Sequence, residues 1–219
     1  MAIFILQDEW VMFPSPELAD SDGLLAIGGD LSIQRLLTAY SEGIFPWYNP
    51  GEIIQWWCPK DRFVIFPDEI HVSRSMRKLL KKAALQVKLN VDFPKIMKNC
   101  RQMREGETWI TDEMEQAYNK LFEAGHAMCV AIYEDNILVG GLYGVVLGKC
   151  FFGESMFSKV PNASKLALIY LCETLAREGF VFVDCQFHTE HLEKMGGRYI
   201  SWAMYKRLLK MGNPNYDYV

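Results

Sequence analysis

The stretch from residue 151 to residue 186 constrains the fold more than any other part of the chain. It reads FFGESMFSKVPNASKLALIYLCETLAREGFVFVDCQ, which predicts a strand, a loop, a helix and a second strand. From Ala163 to Ala176 the run is apolar almost all round, as expected of a helix buried against a sheet. Asn162 suits the N-cap and Gly179 the C-terminal stop. The pattern therefore predicts a strand–helix–strand unit at the centre of the molecule.

Three polar side chains accompany this unit. Alternation along the first strand would place Phe152, Glu154 and Met156 on one face. Asp184 and Gln186 follow at positions i and i+2, side by side on one face of the second strand. Open α/β sheets bind ligands at strand ends, so Glu154, Asp184 and Gln186 predict a site beside an apolar pocket. The alternative is that these residues only cap or turn the chain.

Composition indicates a globular protein of the reduced cytoplasm. Half of the 219 residues are hydrophobic, and the six cysteines are widely spaced, without a Cys-x-x-Cys pair or a secretory signal. No apolar run approaches the roughly 20 residues that a membrane span needs. Cys185, His188 and His191 have no recognised zinc spacing, so we expect no metal.

Charge is distributed very unevenly along the chain. Residues 1–61 carry nine acids against Arg35 and Lys60, whereas residues 71–104 carry ten Lys or Arg against Asp92. A block this basic suggests a phosphate-bearing partner, although a solvated helical face would look the same. The candidate phosphate-binding side chains lie on a helix that Ser73 would cap: Arg74, Arg77, Lys78, Lys81 and Lys82.

Composition also changes near residue 62, where acidic, aromatic and irregular sequence gives way to long periodic elements. We therefore expect a small N-terminal α+β domain over 1–62 and a larger domain over 63–219. The larger domain is predicted to contain helices, then a three-stranded meander, then the strand–helix–strand unit and a last helix. This order is that of an N-acetyltransferase-like (GNAT-like) fold, an α+β class with an α/β-like core. The predicted elements are helices over 73–84, 93–103, 111–125 and 202–209, and meander strands over 127–133, 137–147 and 150–156.

The loop before the buried helix argues against acetyl-CoA as the substrate. GNAT-like enzymes bind its pyrophosphate on a Gly-rich loop at this position. Residues 158–165 read SKVPNASK and contain no Gly-x-Gly that would let a pyrophosphate approach the backbone.

Seven runs together resemble the leucyl/phenylalanyl-tRNA–protein transferases, and they extend from residue 13 to residue 186. The resemblance implies transfer of Leu, Phe or Met from aminoacyl-tRNA to proteins that begin with Lys or Arg, marking them for N-degron proteolysis in the bacterial cytoplasm. It implies no cofactor, and we expect a monomer. The matching runs are FPSPELA, GLLAIGGDLSIQRLLTAYSEGIFPWY, WWCP, WITDEMEQAY, GGLYGV, FFGESMFSKVPNASK and DCQ.

The resemblance also implies roles for site residues. The family residues matching Asp184 and Gln186 are proposed to act on the attacking amine. Gln186 would accept its hydrogen bond, while Asp184 would orient Gln186, stabilise the developing ammonium or only bind the cationic side chain of the acceptor. We expect Glu154 to contact the cationic acceptor or the aminoacyl group. Candidates for the apolar pocket are Leu142, Met156, Leu168, Leu171 and Leu175, and candidates for holding the terminal adenosine are Trp47, Trp57 and, foremost, Trp109.

Two other functions remain open on the sequence. An N-acetyltransferase would share the fold but lacks the glycine loop. A non-catalytic RNA-binding module would explain the basic block but not Asp184 and Gln186 beside an apolar pocket. The family commonly has Met and Phe at positions 142, 171 and 175, so the preference among Leu, Phe and Met stays open.

Overall fold

Two β-sheets and seven α-helices build the part of the chain that the structure describes. The computed structural model describes residues 3–7, 10–81, 85–103 and 108–213. The strands are β1 (Phe4–Leu6), β2 (Leu24–Gly28), β3 (Phe45–Pro46), β4 (Gln55–Trp57), β5 (Arg62–Ile65), β6 (Gln86–Leu89), β7 (Ala127–Glu134), β8 (Ile137–Leu147), β9 (Cys150–Ser158), β10 (Phe182–Gln186) and β11 (Arg198–Ile200). The helices are α1 (Ile33–Ser41), α2 (Arg74–Lys81), α3 (Phe93–Gln102), α4 (Asp112–Glu123), α5 (Ala163–Arg177), α6 (Glu190–Lys194) and α7 (Trp202–Gly212).

The larger sheet confirms the predicted order of elements. Its strand order is β11-β5-β10-β9-β8-β7-β6, and β7, β8 and β9 form the expected antiparallel meander. β9 and β10 pair in parallel and are connected through α5, which is the predicted strand–helix–strand unit. The prediction of a small α+β part followed by a GNAT-like part is therefore confirmed. Three strands of this sheet, β5, β6 and β11, were not predicted.

The smaller sheet contains strands from the first 57 residues only, in the order β1-β2-β4-β3. Helix α1 begins at Ile33, because the side chain of Ser32 accepts a hydrogen bond from the backbone N–H of Arg35. One buried cluster contains side chains from both sheets, including Trp56 and Phe152. The division at residue 62 stays a prediction, since the two parts share this core.

Helix α5, the helix of the strand–helix–strand unit, has nine buried residues. Its N-terminus differs from the prediction. Asn162 occupies the N-cap position in a left-handed conformation (φ 70°), and its side chain makes no capping hydrogen bond. Instead, Ser158 Oγ accepts from the backbone N–H of Ser164 at 3.3 Å and donates to the carbonyl of Val160 at 2.8 Å. The hydroxyl of Ser158 thus makes the side-chain hydrogen bonds that hold the loop before α5.

A β-bulge in β9 overturns the prediction that Phe152, Glu154 and Met156 share one face. Along the β8–β9 pairing, the register shifts between Gly144 and Tyr143, which leaves Glu154 without a partner opposite it. Alternation restarts after an inserted residue, so side chains on either side of it change faces. Phe152 accordingly packs in the cluster shared with the small sheet, whereas Met156 packs against the cluster beneath α5.

Two predictions remain, one about the basic helix and one about membrane spans. Helix α2 follows Ser73 as predicted, but its expected C-terminal end at residue 84 and the candidate Lys82 lie outside the described residues. Within the described ranges, no helix combines the length and apolar character that crossing a bilayer requires.

Candidate active site

The site lies where β9 and β10 diverge. The two strands pair only from Cys150–Phe182 to Phe152–Asp184, after which β9 continues along β8 alone. Beyond this point a cavity of about 540 Å³ opens between them. The end of a parallel strand pair is a common location for ligands, because the diverging strands leave space that side chains from neighbouring elements surround.

The cavity brings together eight of the eleven predicted catalytic and substrate-binding residues. They come from β8, β9, α5, β10 and two aromatic loops: Leu142, Glu154, Met156, Leu168, Leu171, Gln186, Trp47 and Trp109. Three other candidates, all within the described chain, lie outside the cavity wall. Leu175 is fully buried in the cluster beneath α5, Trp57 packs against Trp47 with ring centroids 5.5 Å apart, and Asp184 is fully buried.

The cavity has an apolar side and a polar side. Leu142, Leu168 and Leu171 belong to the cluster beneath α5, and Met156 packs against the same cluster. Glu154 instead contacts tyrosines of the cluster shared with the small sheet. The cavity therefore extends past the plane of the sheet, with an aliphatic lobe under α5 and hydrogen-bonding groups toward the N-terminal part.

Asp184 is the centre of a buried ion-pair network. Its carboxylate accepts hydrogen bonds from Arg62 Nε at 3.1 and 3.2 Å, from Arg62 Nη2 at 2.7 Å and from Tyr205 Oη at 2.7 Å. Both Arg62 and Asp184 are almost fully inaccessible to solvent. The Asp184 carboxylate holds the pKa of the Arg62 guanidinium above its ordinary value in spite of burial, which by itself lowers that pKa.

The network reaches the cavity through the backbone of Gln186. Asp184 Oδ1, which also accepts from Arg62 Nε, accepts from the backbone N–H of Gln186 at 2.8 Å. Gln186 has φ 60°, and the pairing with β5 is irregular between Asp184 and Gln186. A non-glycine residue in the left-handed region persists where its surroundings hold it there. Arg62 and Asp184 thus fix the strand end that carries Gln186 into the cavity.

Glu154 has a different environment, in which every donor is neutral. Tyr40 Oη donates to its Oε1 at 2.6 Å, Tyr118 Oη to its Oε2 at 3.2 Å, and Gln186 Nε2 to its Oε1 at 3.4 Å. Burial raises the pKa of the carboxyl from 4.5 to about 7, against the lowering effect of the two phenols; the charge of Asp184 contributes to the rise. This carboxyl can therefore gain or lose a proton near neutral pH.

The hydrogen bond to Glu154 also orients the amide of Gln186. An ionised carboxylate only accepts hydrogen bonds, so the NH₂ end of the amide must be the end that faces it. The carbonyl oxygen of Gln186 is then the end that a ligand can use. An amide oxygen accepts a hydrogen bond from an amine without acting as a base, which is the role predicted for this residue.

Aromatic rings form the rim on the N-terminal side. Trp47 is 41% exposed and packs on Phe187, itself 39% exposed, with ring centroids 5.3 Å apart. Trp57 supports Trp47, since its Nε1 donates to the Trp47 carbonyl at 2.7 Å. Exposed rings at a cavity mouth can stack on a planar ligand such as a nucleobase.

Sequence reasoning missed several residues of the site. Tyr40 and Tyr118 hold Glu154 from helices α1 and α4, and Arg62 and Tyr205 hold Asp184 from β5 and α7. Phe45 was visible in the GIFPWY run but was assigned no role in the pocket. The cavity wall also includes Pro46, Asn49, Tyr143, Ser155, Cys185, Phe187, Thr189, His191 and Leu192.

The basic helix α2 presents its charges to solvent. Arg74, Arg77 and Lys78 are exposed, while Met76 between them is buried in the cluster beneath α5. Lys81 ends the helix, and Lys82 lies beyond the described residues. The side chains of Arg74, Arg77 and Lys78 are thus available to a polyanion.

Comparison with known proteins agrees with this geometry. The profile described as leucyl/phenylalanyl-tRNA protein transferase matches residues 64–210, and the profile of its N-terminal domain matches residues 29–60. A leucyl/phenylalanyl-tRNA–protein transferase of Syntrophus aciditrophicus is 52% identical over 91% of this chain and 85% of its own. One from Nitrosomonas eutropha is 50% identical over 90% of this chain and 86% of its own.

Similarity to solved structures is much lower. A GCN5-related N-acetyltransferase from Kribbella flavida aligns with a TM-score of 0.41 and 11% identity, over 75% of this chain and 58% of that one. A similarity at this level supports no conclusion about activity. The sequence matches are decisive by contrast, because they cover both the N-terminal part and the larger part at about half identity. The chain belongs to the leucyl/phenylalanyl-tRNA protein transferase family and is an aminoacyltransferase.

Proposed function

We propose that this protein transfers Leu, Phe or Met from aminoacyl-tRNA to the N-terminal α-amino group of proteins that begin with Lys or Arg. The observation that carries the proposal is a cavity in which an aliphatic lobe meets Glu154 and Gln186. Addition of Leu, Phe or Met to such proteins would mark them for N-degron proteolysis in the cytoplasm. Family membership supports the reaction class.

The reaction requires little chemical activation by the protein. An aminoacyl ester is already activated, so the site must mainly hold an amine against the ester carbonyl. An α-amino group has a pKa of roughly 7.7 to 8.0, so a fraction is neutral near pH 7 and no strong base is needed. Gln186 would accept a hydrogen bond from this amine through its carbonyl oxygen. Asp184 would act indirectly, as the group that positions Gln186.

The aliphatic lobe would receive the side chain of the transferred amino acid. Leu142, Leu168 and Leu171 are at most 3% exposed and form a wall without charge, and Met156 adds a flexible edge. A pocket of this kind accepts Leu, Phe or Met and excludes charged side chains, since burying an unpaired charge is costly. A single methylene changes selectivity by only about 1 to 3 kcal/mol, so all three remain substrates.

Glu154 would contact the cationic residue of the acceptor. Its donors within the described chain are two phenols and an amide, so an ionised Glu154 has no cation to balance it. A Lys or Arg side chain would supply that charge, and the resulting charge-assisted hydrogen bond distinguishes basic from neutral acceptors.

The exposed charges of α2 would hold the acceptor stem of the tRNA through its phosphates, while Trp47 and Trp109 would hold the terminal adenosine. Phosphate contacts give affinity without reading sequence, so tRNAs carrying the same amino acid should bind similarly. Binding should weaken steeply between 50 and 200 mM salt. Arg74→Ala combined with Arg77→Ala should reduce both the affinity and this salt dependence.

The test is incubation with leucyl-tRNA and peptides that differ only in their first residue, with acetyl-CoA as the control donor. We expect transfer from tRNA to peptides beginning with Arg or Lys, and none to those beginning with Ala or Glu. Transfer of an acetyl group would instead favour the N-acetyltransferase alternative. Binding of tRNA without any transfer would favour the RNA-binding module.

A further inference from the structure

We propose that Tyr40, Tyr118 and Glu154 form a closed ring of three hydrogen bonds in which Glu154 keeps a proton, and that the cationic first residue of the acceptor displaces this proton when it binds. The inference rests on the proposed function and deepens it, because it assigns Tyr40 and Tyr118 as positioning residues for acceptor specificity. It starts from the number of hydrogens that the ring requires.

The two phenols and the carboxyl group are close enough for three hydrogen bonds. The Oη atoms of Tyr40 and Tyr118 lie 2.6 Å apart, Tyr40 Oη lies 2.6 Å from Glu154 Oε1, and Tyr118 Oη lies 3.2 Å from Glu154 Oε2. Each phenol carries one hydrogen that it can donate, and an ionised carboxylate carries none. With Glu154 ionised, two hydrogens would therefore have to serve three contacts.

A proton on Glu154 Oε2 supplies the third hydrogen. Glu154 then donates to Tyr118, Tyr118 donates to Tyr40, and Tyr40 donates to Glu154 Oε1, so that each group donates once within the ring. Hydrogen bonds that follow one another in this way strengthen each other. Oε1 can still accept from Gln186 Nε2 at 3.4 Å, so the orientation of that amide is the same in both protonation states.

The surroundings of the ring also favour a protonated carboxyl group. Burial raises the pKa of both phenols well above their ordinary value, so they stay neutral, and burial together with the negative charge of Asp184 raises the pKa of Glu154. No Lys, Arg or His among the described residues donates to Glu154. The titratable groups around the carboxyl come from four other elements: Tyr40 of α1, Tyr118 of α4, Tyr143 of β8 and Asp184 of β10.

A cationic acceptor would change this balance. The ammonium of Lys or the guanidinium of Arg brings a positive charge beside the carboxyl group, which favours its ionised form. The O–H bond of Glu154 breaks, the proton leaves for water, and the carboxylate pairs with the cation. An acceptor with a neutral first residue cannot make this exchange, so Glu154 would keep its proton. The ring therefore links the charge of the acceptor to proton release.

The test is infrared difference spectroscopy of the full-length protein with peptides that begin with Arg or with citrulline, which has the shape of Arg without its charge. A protonated carboxyl group has a C=O stretching band that a carboxylate lacks. At pH 6 about nine-tenths of the free molecules should show this band, given a pKa of about 7. We expect the Arg peptide to abolish it and the citrulline peptide to leave it in place.

Two variants and an isotope label assign the band. Glu154→Gln should lack it, and its amide can still donate to Tyr118, so its urea midpoint at pH 6 should match that of wild type. Glu42→Gln is the matched control, because burial also raises the pKa of Glu42, which lies outside the cavity wall; this variant should keep the response to the Arg peptide. If Glu154→Gln does not fold, ¹³C labelling of glutamate should still shift the band.

Tyr40→Phe gives a readout that a merely structural role would not move. Tyr40 donates to Oε1, which is the carbonyl oxygen of the protonated group, and a hydrogen bond to a carbonyl oxygen lowers its stretching frequency. Loss of the phenol hydroxyl should therefore shift the Glu154 band to higher wavenumber. Tyr205→Phe makes the same change beside Asp184 and should leave the band where it is.

Four results would overturn the proposal: no band in free wild-type protein at pH 6, a band that persists at saturating Arg peptide, a band that remains in Glu154→Gln, or an unshifted band in Tyr40→Phe. Failure of wild-type protein to transfer Leu from tRNA to the Arg peptide would instead refute the proposed function. The spectrum of the free protein does not depend on that transfer, so the two failures are distinguishable.

Discussion

The two carboxylates beside the cavity lie on neighbouring strands but have opposite environments. Asp184 on β10 is fully buried and is paired with the guanidinium of Arg62. Glu154 on β9 receives hydrogen bonds from two phenols and an amide. Arg62 neutralises the charge of Asp184 within the fold, whereas no cation among the described residues donates to Glu154.

This difference separates a structural role from a chemical one. A carboxylate with a buried cation and three kinds of donor has its hydrogen-bonding capacity used by the protein. A carboxylate held by neutral donors titrates near neutral pH and can still gain from a cationic ligand. The hydrogen bonds therefore favour a supporting role for Asp184 and leave the carboxylate of Glu154 free to pair with a cationic ligand.

The largest expected effect tests the buried pair. Arg62→Met should lower the free energy of unfolding by about 3 to 5 kcal/mol, because it leaves the Asp184 charge buried without a cation. Urea unfolding at pH 7 measures it. Arg198→Met is the matched control: its ion pair with Glu69 is half exposed and screened by solvent, so its loss should cost far less. A cost below about 1 kcal/mol for Arg62→Met would contradict the assignment.

The second effect tests Glu154 through the pH dependence of stability. With a pKa of about 7, the folded state holds a proton that the unfolded state loses near pH 4.5. The contribution of Glu154 to the free energy of unfolding should therefore fall as pH rises from about 4.5 to about 7, by on the order of 3 kcal/mol. Glu154→Gln should remove this decline. Glu134→Gln, at an exposed turn, should keep it, and an unchanged slope in Glu154→Gln would refute the prediction.

The smallest effect compares the phenols that serve the two carboxylates. Tyr40→Phe removes a hydrogen bond that favours the ionised form, so it should raise the pKa of Glu154 above about 7. A ¹³C NMR titration of the glutamate carboxyl groups measures the midpoint. Tyr205→Phe makes the same change beside Asp184 and should leave the Glu154 midpoint in place. A Glu154 midpoint that stays or falls in Tyr40→Phe would be the contrary result.

The sequence predicted the strand–helix–strand unit well because its signals are local. The apolar run of α5 and the alternation of β7 and β8 each depend on neighbouring residues, and the structure confirms them. The face of Met156 could not be predicted, since the bulge at Glu154 arises from pairing with β8. Short β5, β6 and β11 give too little pattern to read, at three or four residues each.

The site was predicted only in part, for a similar reason. The cavity-lining residues of β9 and α5 followed from periodicity and from the family resemblance. Arg62 is 122 positions from Asp184 and Tyr40 is 114 from Glu154, so no local pattern joins them. Two acids that look alike in sequence therefore have different environments, because the fold brings different partners to each.

The hydrogen bond from Tyr40 to Glu154 limits how modular this protein can be. It joins α1, before residue 62, to the centre of the larger sheet, and Trp47 adds a second N-terminal group to the cavity wall. A fragment starting at residue 63 would lack part of the cavity wall. Exchange of either half between relatives should succeed only when the incoming half preserves the hydrogen bond between the α1 phenol and the carboxylate on the β9 bulge.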